Sequence, residues 1–517
     1  MARKEFLNYV WEKDIKPQIG YSFSIPHDIA YSIEAVQEAN LATKYNPLFW
    51  ECACLSVNAG SSSTDTLDNN EEEDSDETET LDLTQEEGSS ATKKSFVPNY
   101  IKISKAVSDA QLRGVKIELP DINKAGSDFL PDIEHNSILY SLRNVSCVSD
   151  DLYTRILANR PYNKVNEFIQ KVNPTVAETV GLIKAGCFDS IVSQPRRVIL
   201  LAYLRKVARD ACPIKDKITS VHMKKILSSD EKFPQFEKYI RLFHFYNYVK
   251  LEQYEAATKS VILTDKDAKD YFNQNFAPKM SLSKGEYLVL TDSIKIKMST
   301  LKRYYDRFME PFTTFFNSEE GRKKYQEWEE GEYFKTLETK FDVLSSEASW
   351  EMNQLGFYAS KHELAFISGE PYLVKDFNSL PEQPILRNFE KDGQTFQTID
   401  NVCSIVGTVV GKDNTKHIVF LLTPQGVVNV KCFNDLYNRF NATVSIKSED
   451  GKKKIVLDKS WFERGTKLLI YGYRRENTFV AKNVKVNTFT RSICLIEKVE
   501  NNGTLVLRYT RKSSRKE

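Results

Sequence analysis

Residues 403–433 read CSIVGTVVGKDNTKHIVFLLTPQGVVNVKCF, with apolar residues recurring at every second position between turns built from Gly, Asn and Asp. A period of two is what a strand with one buried face requires, because successive side chains point to opposite faces. The same rhythm runs on through KIVLDK (454–459), GTKLLIYGYRRENTFVAKNVKV (465–486), SICLIEKV (492–499) and TLVLRY (504–509), the last two joined across Asn501-Asn502-Gly503. A helical piece, NDLYNRF (434–440), interrupts the strands at the middle. Short alternating strands of this kind predict a small antiparallel barrel. Five strands with one intervening helix is the pattern expected of an OB-fold.

Upstream the period changes to that of helices. Ile33, Val36, Ala39 and Leu41 keep a helical rhythm, and Pro47 starts a second helix after Asn46. Both helices are amphipathic and need a partner surface. Residues 58–95 carry 12 Asp/Glu against 2 Lys and offer only three leucines to a core, too little to offset the entropy of ordering them. This predicts a disordered acidic insertion. Order returns with NYIKISKAVSDAQLRGVKI (99–117), an amphipathic helix ended by Gly114. From about 196 to 390 the chain is helix-rich with one β-like run, YLVLTDSIKIKM (287–298); its aromatics follow helical spacing and read as core.

A length of 517 residues predicts about three or four domains. The composition, 41% hydrophobic with 12% aromatic, excludes a disordered or fibrous chain. No apolar stretch approaches a membrane span, and MARKEFLNYVWEKD lacks the features of a secretory signal. The eight cysteines show no CxxC, and the six histidines lie far apart, so neither a disulfide framework nor a protein-built metal site is predicted, and a reducing cytoplasm is expected. The net charge of +1 hides an asymmetry: residues 401–517 carry 22 Lys/Arg against 10 Asp/Glu. A basic barrel region points to nucleic acid.

Four collinear segments carry a resemblance. GYSFSIPHDIAY (20–31) resembles the fingers motif of the C-family replicative DNA polymerases, the bacterial DNA polymerase III alpha subunit. LIKAGCFD (182–189), preceded by LPDIN (119–123), is similar to the segment that closes that family's helix-hairpin-helix region. LGFYASKHEL (355–364) resembles a third family motif, and the barrel stands where the family carries its OB domain. The resemblance implies a multidomain α+β chain: fingers end at 1–57, the acidic insertion at 58–95, fingers end and helix-hairpin-helix at 96–195, a helical insertion at 196–390, an OB-fold at 391–495, then a terminal strand and basic tail at 496–517.

The family's catalytic aspartates lie in a palm upstream of the fingers motif and hold two divalent metals for phosphoryl transfer. This chain is expected to begin after them, so it should carry no catalytic or metal-binding residue; Mg2+ would be held by a partner palm chain. Pro131-Asp132-Ile133-Glu134 reads as a surface turn. By resemblance, Ser22, Phe23, His27 and Tyr31 contact the incoming dNTP, although Ile25 replaces the family's lysine. Helix-hairpin-helix units hold duplex phosphates through backbone N–H groups at glycine hairpins. In Val145-Ser146-Cys147-Val148-Ser149 both glycines are replaced, which leaves Lys184 and Gly186 as duplex candidates. OB barrels stack bases on exposed aromatics while basic residues track the strand. Lys412, Lys416, His417, Phe433, Tyr437, Tyr471, Tyr473, Arg474 and Arg475 are the candidates there. Expected partners are primer-template DNA, single-stranded template, dNTP, the palm chain and a sliding clamp, although no clear clamp-binding peptide is legible, and no membrane. The alternative is a non-catalytic DNA-binding accessory protein derived from a polymerase.

Overall fold

The computed structural model describes residues 2–16, 25–60, 96–229, 236–391, 394–447, 454–486 and 489–512. Most of the expected acidic insertion, and with it any test of its disorder, lies outside them. The chain forms two compact units, one of Met1–Leu200 with Leu344–Glu517 and one of Leu201–Val343.

The first unit opens with helices α1 (Ala2–Val10), α2 (Ile25–Lys44) and α3 (Pro47–Asn58). The Asn46 side chain accepts from the Leu48 N–H with Pro47 in the first helical position, the start signal legible in the sequence. Leu48, Cys52 and Leu55 then bury one face of α3, and Ile103, Val107 and Ala110 do the same for α4 (Tyr100–Leu112). Three short strands follow, β1 (Lys116–Glu118), β2 (Leu130–Asp132) and β3 (Ser137–Leu139), in the order β1-β3-β2. Three helices come next: α5 (Asp150–Ala158), α6 (Val165–Val172) and α7 (Val176–Lys184).

Helix α8 (Arg196–Ala211) leads into the second unit, which holds α9 (Ser220–Leu227), α10 (Glu237–Glu252), α11 (Lys266–Asn275), α12 (Met298–Asn317) and α13 (Glu319–Lys340). Between the helices a sheet forms from β4 (Tyr254–Glu255), β5 (Ser260–Leu263), β6 (Tyr287–Val289) and β7 (Ile294–Lys297), in the order β4-β5-β7-β6. Its aromatics are core, as their spacing predicts: Phe236, Tyr239, Phe243, Phe272, Phe276, Phe312 and Phe316 pack in one cluster.

The second unit ends at Val343, short of the domain boundary at 390 drawn from the sequence but close to residue 349, where the stretch without family resemblance ends. Helix α14 (Glu347–Leu355) rejoins the first unit because Trp350, Met352, Leu355 and Phe357 need burial there. The third family-like motif is the joint: the Tyr358 hydroxyl bonds Thr408 Oγ1 at 2.8 Å, and His362 Nε2 lies 3.0 Å from the Leu422 carbonyl.

A hairpin of β8 (Leu386–Lys391) and β9 (Gln394–Ile399) precedes the barrel. The barrel strands are β10 (Cys403–Asp413), β11 (Ile418–Thr423), β12 (Gly426–Lys431) and, after helix α15 (Asn434–Asn441) and the hairpin β13 (Val444–Lys447)–β14 (Lys454–Asp458), β15 (Lys467–Arg475) and β16 (Thr478–Ala481). The order β10-β11-β12-β16-β15 closes through β15 pairing back onto β10. This is the OB-like arrangement, with one correction to the antiparallel expectation: β12 and β16 run parallel. The inward residues Ile405, Val409, Val419, Leu421, Val430, Leu468 and Ile470 fill the interior. The hairpin β17 (Val484–Val486)–β18 (Phe489–Arg491) follows, and β19 (Ile493–Val499) and β20 (Leu505–Arg508) extend the sheet beyond β15.

Candidate nucleic-acid interface

Two outer faces of the barrel are covered by the chain itself. Helix α4 lies over β10 and β12, close enough that a Cβ on Gly411 would stand 2.5 Å from Ile101 Cγ1; the glycine admits the helix. Met352 and Tyr358 pack there against Val410 and Leu422. On the other side, Leu364, Ile367, Tyr372 and Val374 cover β10, β15 and β19, and Ser404 exchanges backbone bonds with Leu373 and Lys375.

This strap corrects several sequence expectations. Tyr471 points outward from the barrel, yet it is fully buried beneath the strap and has no face for a base. Tyr473, on the same side, is half-buried. Arg474 is committed to the protein: its guanidinium sits 4.7 Å from the centre of Phe377 and donates to the carbonyls of Leu380 and Glu476. Arg475 at the strand end is exposed.

The pole where the β10–β11 turn meets the start of α15 is different. Lys412, Lys416, His417, Phe433 and Tyr437 come together there, as do Lys431 and Asn434, which the sequence reading did not single out. Phe433 is 63% exposed, and the Lys416 side chain 67%. Asn429 and Lys431 share a face of β12 by alternation, and Lys431 ends the strand two residues before Phe433, a signal that would have found it. The Lys431 ammonium donates to the Lys416 carbonyl, and Lys412 donates to Asn441 Oδ1 at 3.0 Å. His417 takes a left-handed backbone (φ 52°), stacks on Tyr437 at 4.6 Å between ring centres, and meets Asn434 Oδ1 at 2.8 Å. Tyr437 is buried, its hydroxyl donating to Asn414 Oδ1 at 2.7 Å, so it supports the His417 ring instead of presenting its own. An exposed aromatic face beside lysines is chemically suited to a stacked base with flanking phosphates.

The helix-hairpin-helix region offers less. At the first hairpin Cys147 stands where the family has glycine, and a Cβ on Gly181 of α7 would lie 2.5 Å from both Cys147 Cβ and Sγ. Burial pushes the Cys147 thiol up to about 12, and its side chain is wedged against Gly181. The Ser146 N–H, a candidate phosphate donor, donates instead to the Gln354 carbonyl at 3.0 Å. Asp150 and Asp151 occupy the first turn of α5, where a phosphate would be repelled. At the second hairpin Thr175 and Glu178 form a capping box, in which the Thr175 hydroxyl accepts the Glu178 N–H and the Glu178 carboxylate accepts the Thr175 N–H. Lys184 is buried with its ammonium 5.2 Å from the Trp350 ring centre, and Gly186 packs beneath the Arg196 guanidinium. Neither is placed on an open surface, which corrects their reading as duplex contacts.

Of the nucleotide-pocket candidates, Ser22 and Phe23 lie outside the described residues. His27 is half-buried on α2, its ring edge-on to the exposed Tyr31 at 4.4 Å. Large apolar side chains stand exposed along these helices: Phe6, Leu7 and Trp11 on α1 and the turn after it, Ile29, Ile33, Val36 and Leu41 on α2. Asp132 is at the surface, holding its turn through His135. Among the described residues no cluster of His, Cys, Asp and Glu is placed to hold a metal ion, and no helix is long and apolar enough to cross a membrane.

A family model described as a helix-hairpin-helix motif matches residues 114–198. The chain is 34% identical over 516 residues to a probable DNA polymerase YorL of Bacillus subtilis, an alignment covering 97% of this chain and 36% of that protein. The DNA-directed DNA polymerase of Bacillus phage SPbeta matches with the same identity and coverage. The DNA polymerase III subunit alpha of Caulobacter vibrioides is 27% identical over 111 residues, covering 20% of this chain and 10% of that protein. The chain thus spans about a third of the length of these two polymerases. These relatives bear out the polymerase resemblance drawn from the four motifs.

Proposed function

We propose that this chain is the C-terminal portion of a replicative DNA polymerase of the DNA polymerase III alpha type, working in a bacterial or phage-infected cytoplasm. It grips DNA and positions the incoming dNTP, while palm aspartates on another chain hold Mg2+ and carry out nucleotidyl transfer. In this reading His27 and Tyr31 belong to the dNTP-facing side of the fingers. The pole of Lys416, Lys431 and Phe433 receives single-stranded template.

The observation that carries the reading is the pairing of two facts. Nearly the whole chain aligns with about a third of a polymerase, and its first two helices present a row of exposed apolar side chains. Patches of that kind mark protein interfaces, and a palm-bearing polymerase segment is the surface that fits. Co-expression with a palm-bearing chain tests it: copurification with primer extension supports the reading. A stable solitary protein that only retains DNA would favour the accessory-protein alternative.

A further inference from the structure

The sheet of the second unit ends in a short edge strand that carries no charged residue, proline or bulge and that no described element pairs on its outer side. Edge strands are ordinarily blunted by charge, proline, a bulge or a covering element, because their unpaired backbone groups template another strand. Strand β6 carries Tyr287, Leu288 and Val289, with Leu290 following. Leu288 is 54% exposed and Val289 62%.

The pairing with β7 fixes which backbone groups are open. The Leu290 N–H donates to the Ser293 carbonyl at 2.8 Å, and Leu288 stands opposite Lys295. By alternation the main-chain groups of Leu288 and Leu290 face β7, and those of Tyr287 and Val289 face away from it.

We propose that β6 pairs antiparallel with β6 of a second copy of this chain, making a two-fold dimer through a continuous eight-stranded sheet. The strand is self-complementary. Centred on Leu288, antiparallel pairing sets outward-facing Tyr287 opposite outward-facing Val289 of the other copy, twice over, giving four backbone hydrogen bonds. It also sets the turn before β6, with exposed Lys284, beside the turn after β6 of the other copy, with exposed Asp292. Opposite charges therefore meet at both ends, and Leu288 meets its own counterpart between them.

Sedimentation equilibrium of the full chain tests this. The wild type self-associates to a dimer. Val289→Pro removes a donor that points away from β7, so the sheet itself is preserved. It deletes two of the four intermolecular bonds and weakens association roughly thirtyfold. Leu288→Lys gives a second disruption that does not touch the backbone. Lys284→Asp and Asp292→Lys each weaken the dimer, and the double variant restores it. A monomer at all concentrations, or a dimer indifferent to both Val289→Pro and Leu288→Lys, overturns the proposal.

Discussion

Replacing Phe433 by Ala should weaken binding of a short single-stranded oligonucleotide without unfolding the chain. The ring is 63% exposed beside Lys416, Lys431 and His417, so its removal leaves no cavity. A base stacked on an aromatic side chain contributes about 1–3 kcal/mol, which corresponds to roughly 5- to 150-fold in Kd. Fluorescence anisotropy at fixed salt, with a thermal melt run in parallel, separates binding from stability. Lys416→Gln should in addition lower the slope of log K against log salt by about 0.7, the value for one phosphate contact on a single strand. Tyr471 supplies the control. It is buried beneath the 364–374 strap, so Tyr471→Ala should cost about 3–5 kcal/mol of stability, whereas Tyr471→Phe leaves oligonucleotide affinity unchanged. If Phe433→Ala binds as tightly as the wild type at the same salt, the pole does not carry the strand.

Other consequences follow from the packing. Gly181→Ala should lower stability by about 1–3 kcal/mol in urea unfolding, because its new methyl group meets Cys147; pairing it with Cys147→Gly should recover most of the loss. Glu351→Ala should cost about 3–5 kcal/mol, since the buried carboxylate holds Arg196 Nη1 at 3.0 Å and accepts the N–H groups of Ala359 and Ser360. His362 yields a pH signature. Burial holds its imidazole down at about 4, against a smaller upward pull from the Leu422 carbonyl. The unfolded chain binds a proton near 6.5 and the folded chain does not, so this residue's contribution falls as pH drops from about 6.5 to about 4, by about 3 kcal/mol. Unfolding curves of His362→Gln across that range should lack the component.

Local signals in the sequence were reliable where the chemistry is local. Asn46-Pro47 announces a helix start that needs only a side chain and the next turn, and the alternation from Cys403 onward announces the barrel strands. What alternation cannot give is which of two faces is wet. Tyr471 lies outside the barrel and is still dry, because a segment a hundred residues earlier covers it. The limit of the insertion depends on tertiary contact in the same way: packing shows that Trp350, Met352 and Leu355 join the core of the first unit. The parallel β12–β16 pair likewise depends on closure of the whole barrel. At the first hairpin the loss of glycines was legible, but its replacement, a Cys147 wedge against Gly181 with Gln354 occupying a backbone donor, was not.

Primer extension with the purified chain, alone and then mixed with a palm-bearing polymerase chain, bears most directly on the division of labour proposed here. The chain alone should bind primer-template and incorporate nothing, with synthesis appearing on addition of the second chain and Mg2+. Incorporation by the solitary chain at a rate that survives repeated purification would contradict it.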